Sequence, residues 1–180
     1  MPLEHKFHQM AGELVMSEGS VISGYASLFG QADQSGDTVE KGAYGSSLQH
    51  SVAKGNSIKM LWQHDPSEPI GVWDEVREDA KGLWVKGRIL TDVTRGREAA
   101  ALVEAGAIDG LSIGYRTVKS RKNDKGGRLL SELELWEVSL VTFPMLPDAR
   151  VGAKGSDPTD PIMRELAAAF EGARSLMADD

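Results

Sequence analysis

The sequence contains no cysteine, which excludes disulfides, thiolate metal sites and a cysteine nucleophile; covalent chemistry would have to use Ser, Thr, Lys or a carboxylate. It also lacks a run of about 18 apolar residues, and no basic segment leads into an apolar stretch near Met1. A chain without membrane contact, staying in the cytoplasm where it is made, is therefore expected. Cationic side chains are outnumbered, 20 against 27, and the net charge of −7 argues against a nucleic-acid partner, since phosphate binding works through Lys and Arg. Histidines are few, at positions 5, 8, 50 and 64, without the His-x-x-x-His spacing of a helical metal site. There is no Gly-rich phosphate cradle, so neither a metal nor a cofactor is expected.

What remains is 180 residues with 41% hydrophobic and 26% charged side chains, the balance of one folded domain with a short appendage. Two or three strands are expected over residues 5–29, and weak helical spacing over 41–54. Period-two strands follow at Ile58 to His64, Ile70 to Arg77 and Leu83 to Leu90, and a helix opens at Thr94 as N-cap and closes at Gly106. Two long strands, about Leu111 to Lys119 and Arg128 to Phe143, flank the turn signal Asn123-Asp124-Lys125-Gly126-Gly127. The basic residues Arg116, Lys119, Arg121, Lys122, Lys125 and Arg128 bracket that turn and read as a solvated hairpin tip. Residues 1–151 are expected to form a mainly β domain, a closed or nearly closed antiparallel barrel with peripheral helices. Residues 152–160 read as a linker, and 161–180 as an amphipathic helix with the stripe Ile162, Leu166, Ala169, Phe170, Ala173 and Met177.

Three residues could carry chemistry. In Gly110-Leu111-Ser112-Ile113-Gly114-Tyr115, alternation places Ser112 between Gly110 and Gly114 on one face, leaving the hydroxyl open to a carbonyl; the same pattern suits a barrel strand whose glycines relieve crowding at a bend. His64 ends a strand on the face of Ile58, Met60 and Trp62, where it could touch a pocket or be a hydrogen-bonded core histidine. Alternation puts Glu137 with Leu133, Leu135, Val141 and Phe143, whereas Glu132 and Glu134 share the other face with Trp136. A carboxylate on an apolar face needs a partner, either an imidazole or a base such as Arg88 or Arg116.

Together with Gly24-Tyr25-Ala26-Ser27-Leu28-Phe29, Gly42-Ala43-Tyr44, Leu61-Trp62-Gln63-His64-Asp65 and Leu135-Trp136-Glu137-Val138-Ser139-Leu140-Val141-Thr142-Phe143-Pro144, the Ser112 segment resembles the prohead (capsid maturation) proteases of tailed phages and gene transfer agents. These pieces stand in the family's order over roughly residues 5–150. The fold of that family is similar to herpesvirus assemblin. The resemblance implies a serine endopeptidase with Ser112 as nucleophile and His64 as general base. Glu137 would stand where the herpesvirus enzymes have a second histidine, and backbone N–H groups around Asp148 to Val151 would form the oxyanion hole. It further implies a scaffold protein or the scaffold-like segment of the major capsid protein as substrate, action inside assembling proheads in the bacterial cytoplasm, and a homodimer. The rival readings are a capsid-assembly protein of the same fold without catalysis, and a β-barrel ligand-binding module.

Overall fold

Period-two runs punctuated by glycine and polar turns become strands, and the two stretches of helical spacing become short helices. A computed structural model describes residues 4–7, 15–17 and 20–143, apart from Gln34, Asn56 and Lys125. In chain order the elements are β1 (Glu4–Phe7), β2 (Val15–Ser17), β3 (Val21–Leu28), β4 (Thr38–Val39), α1 (Gly45–Lys54), β5 (Lys59–Trp62), β6 (Asp65–Glu78), β7 (Gly82–Ile89), α2 (Thr94–Glu104), β8 (Gly110–Lys122) and β9 (Arg128–Val141). The expected linker, C-terminal helix, dimerisation stripe and oxyanion segment lie outside the described residues.

All these strands join one curled sheet in the order β1-β8-β9-β5-β6-β7-β3-β2, with β4 beside β9. The chain is thus mainly β with two helices, but the sheet is a half-barrel whose path ends at β1 and β2 rather than a closed barrel. Nor is it purely antiparallel, because β4 and β5 both run parallel to β9. Hairpin-linked strands must be antiparallel, but β5 and β9 are far apart in the chain and no turn dictates their direction.

One face of the sheet carries the core. Ile22, Met60, Ile70, Leu83, Val85, Leu111, Ile113, Val138 and Leu140 pack there with Tyr44, Ala99 and Val103. Each such aliphatic side chain contributes about 1.5–3 kcal/mol by leaving water. The helix α2 starts one residue differently from expectation: Val93, in extended conformation, occupies the cap position and Thr94 is already helical, with no side-chain cap. Its end is as expected, Gly106 turning left-handed at φ +71° and donating its N–H to the Val103 carbonyl at 3.0 Å.

The β8–β9 hairpin is the longest pairing, and several of its basic residues meet acids: Arg116 with Glu134 at 2.5 Å, Lys119 with Glu132, Arg121 with Glu40 at 2.5 Å. Along this ladder Gly114 faces Glu137 but Tyr115 faces Leu135, so Trp136 is an extra residue, a β-bulge. The bulge reverses the phase of β9. Leu133 and Leu135 face the core before it, and after it Val138 and Leu140 do so. Glu137 and Ser139 therefore lie on the opposite face, beside Ser112 and Gly114. Strict alternation had grouped Glu137 with Leu133 and Leu135, and the inserted residue is why that grouping fails.

The start of β9 is anchored by Asp37, which is 4% exposed and accepts from the Arg128 backbone N–H at 2.9 Å and from its Nη2 at 2.6 Å. Asp37→Ala removes a charge-assisted acceptor from both groups and is expected to cost about 1.5–3 kcal/mol. Urea unfolding should show a lower midpoint with an unchanged slope.

Candidate active site

Ser112 and Ser139 are direct Cα partners across β8 and β9, and Gly114 and Glu137 are the next such pair on the same face. The face is tightly enclosed: Ser112 and Ser139 have no exposed surface, and Glu137 has 4%. Gly114 owes its lack of a side chain to the carboxylate, because a Cβ there would overlap Glu137 Oε1. The sequence reading had left that glycine between access for a carbonyl and relief of crowding at a bend; in the structure it makes room for Glu137.

His64 arrives from β5, on the other side of β9, but not by strand alternation. The strand stops at Trp62, and Gln63 and His64 both adopt left-handed backbone angles, φ +52° and +63°. Such residues cost roughly 1–3 kcal/mol each, so the surroundings must hold them. Gln63 N–H donates to the Leu140 carbonyl at 2.9 Å, Gln63 Nε2 donates to Thr142 Oγ1 at 2.5 Å, and His64 N–H donates to Ser139 Oγ at 3.2 Å. This turn carries the imidazole to the face of the sheet that holds Ser112 and Glu137.

The three side chains form one line of hydrogen bonds. His64 Nδ1 is 2.6 Å from Glu137 Oε1, and His64 Nε2 is 2.7 Å from Ser112 Oγ. An ionised carboxylate only accepts, so Nδ1 carries the proton and Nε2 turns its lone pair to the serine hydroxyl. That is the tautomer a general base needs. The basic partners open to Glu137 in the sequence reading are engaged elsewhere, Arg88 with Asp74 at 2.9 Å and Arg116 with Glu134. Asp65, next to His64, is exposed and accepts from Ser67 N–H and Oγ at 2.8 and 2.6 Å, which holds its carboxyl below the usual range. Among the other histidines, His50 is exposed with its Nδ1 2.7 Å from the Ser46 carbonyl of its own helix, and His8 lies outside the described residues. No cluster of three or more metal-ligating side chains occurs among the described residues.

Ser139 was missed. Its signal was available in the spacing Glu137-x-Ser139, since residues two apart on a strand share a face, but the misplaced phase hid it. Beside His64 and Glu137 opens a groove of about 780 Å³, bounded by Leu61, Pro66, Val118 and Trp136 and by α1. Trp136 and Val118 are half exposed at its wall. Glu132 also lines the groove, and a hydrogen bond from the Lys119 ammonium holds its carboxyl below the ordinary carboxylate range.

Known proteins share parts of this sequence and its fold. Residues 6–160 match the caudovirus prohead serine protease family. The prohead protease of Enterobacteria phage HK97 is 31% identical over 139 residues, 76% of this chain and 60% of that protein. A capsid polyprotein of Pseudomonas phage PAJU2 is 33% identical over 102 residues, 52% of this chain and 15% of the polyprotein. This chain thus spans less than two thirds of either relative's length. Among solved structures, the capsid assembly protease of bacteriophage T4 shares the fold at TM-score 0.63 with 17% identity, covering 79% of this chain and 98% of that one.

If Gly114 is empty for the sake of Glu137, a single methyl should displace the carboxylate and let the imidazole drift. Gly114→Ala is expected to slow labelling of Ser112 by a fluorophosphonate about 10²-fold, the scale of a 1 Å misplacement at a reacting centre. Gly114→Ala labelled as fast as the parent chain would remove that account of the glycine.

Proposed function

Because the chain belongs to the caudovirus prohead serine protease family, we propose that it is a serine endopeptidase that cuts scaffold protein, or the scaffold-like segment of the major capsid protein, as proheads mature in the host cytoplasm. The observation that carries this reading is the unbroken line Glu137 Oε1, His64 Nδ1, His64 Nε2, Ser112 Oγ.

The chemistry follows from that line. As Ser112 Oγ attacks the scissile carbonyl carbon, its proton passes to His64 Nε2, and the carbonyl π electrons move to the oxygen. Glu137 holds the ring through Nδ1–H and offsets the charge of the imidazolium. Collapse of the tetrahedral intermediate breaks the C–N bond, and the Nε2 proton goes to the leaving amine. A water then enters and attacks the acyl carbon as it loses its proton to Nε2, and the bond from that carbon to Ser112 Oγ breaks as Nε2 returns the proton to Oγ. The oxyanion needs two donors, proposed among the backbone groups around Asp148 to Val151.

The capsid substrate is supported by the names of the relatives, a prohead protease, a capsid assembly protease and a capsid polyprotein. The groove beside His64 and Glu137 offers an extended peptide an apolar wall at Trp136 and Val118, ending in charged pairs.

The test is co-expression with the capsid precursor, followed by mass mapping of the products. Cleavage is expected from the parent chain and none from Ser112→Ala or His64→Ala; intact precursor in all three would overturn the reading. Glu137→Gln should lose up to about 10⁴ in rate, as when an orienting carboxylate leaves a triad. Glu134→Gln, which removes only the partner of Arg116, should stay within about twofold of the parent, the weight of an exposed pair. For the groove, Trp136→Ala is expected to raise KM about three- to tenfold at unchanged kcat, the pattern of lost uniform binding. A fall in kcat alone would place the peptide elsewhere.

A further inference from the structure

We propose that Ser139 is a positioning residue of this site, one hydroxyl that fixes both the carboxylate plane of Glu137 and the backbone of His64; the inference rests on the peptidase reading above. Ser139 sits where three strands meet, opposite Ser112 on β8 and Leu61 on β5. Its Oγ donates to Glu137 Oε2 at 2.5 Å and accepts the His64 N–H at 3.2 Å.

A hydroxyl has one proton, and Ser139 gives it to Glu137, so its lone pair is free for the His64 amide. Glu137 then divides its two oxygens, Oε1 to the imidazole and Oε2 to Ser139. The terminal torsion of a glutamate is broad, and a hydrogen bond to the oxygen that does not meet the ring narrows it. The second bond sets the carboxylate plane and aims Oε1 at Nδ1. The bond to the His64 amide holds the left-handed residue from which the ring projects. Ser139 touches neither Ser112 Oγ nor a reacting atom by these contacts, so its effect runs through Glu137 and His64.

A merely structural serine would satisfy a buried space and no more, and a matched pair of variants separates the two roles. Ser139→Thr and Ser139→Val have the same branched shape and differ only in the hydroxyl. In the full chain, Ser139→Val should fall below Ser139→Thr in kcat on a capsid-derived peptide by about tenfold or more, the weight of one hydrogen bond to a charged group, with KM within twofold. Equal kcat in the two would overturn the inference. If the branched side chains prevent folding, Ser139→Ala is compared in the parent and in Glu137→Gln. A loss that largely vanishes in the Glu137→Gln background supports action through Glu137, and a loss of the same factor in both overturns it. An inactive parent chain, neither labelled by a fluorophosphonate nor able to cleave, overturns the peptidase reading instead.

Discussion

A carboxylate that is 4% exposed cannot be left to itself, and the arrangement around Glu137 answers that constraint. With so little access to water its oxygens need protein donors, and an imidazole N–H and a serine hydroxyl are among them. Space must also be found for it, which is the reason a glycine stands opposite. The strand β9 must turn it away from the core, which the bulge at Trp136 does. Site geometry and sheet irregularity are in this sense one feature.

Much of this was legible beforehand. The strands from Leu83 to Leu90 and from Arg128 onward, the hairpin turn at Asn123 to Gly127 and the helix ending at Gly106 follow from period and turn chemistry that no distant residue overrides. Ser112 was placed on its correct face because β8 is regular from Gly110 to Tyr115. His64 and Glu137 were singled out, but the reasons offered from alternation were wrong. A pair of left-handed residues delivers the histidine and an inserted tryptophan re-aims the glutamate, and neither leaves a mark in a periodic pattern. The parallel pairing of β5 with β9 was equally invisible, because partner choice between strands so far apart in sequence depends on the completed sheet.

Local strain and local bonding are balanced at the turn before β6. Two non-glycine residues in the left-handed region would relax if they were free, and they are held by hydrogen bonds to Leu140, Thr142 and Ser139. All of these partners lie on β9 or immediately beyond it. The base is thereby tied to the strand that carries its orienting carboxylate, and motion of β5 relative to β9 is resisted by the same bonds that set the ring.

The bulge also decides where this chain can change length. Loss of the extra residue at Trp136 would exchange the polar and apolar faces of the segment that follows, sending Glu137 and Ser139 into the core and Val138 and Leu140 out of it. The turn at 123–127 is fastened too, because Asn123 Nδ2 donates to the Gly36 carbonyl at 3.2 Å and Asn123 Oδ1 accepts from Gly127 N–H at 2.8 Å. The positions from 136 to 141 should therefore keep their spacing and vary only in side chain.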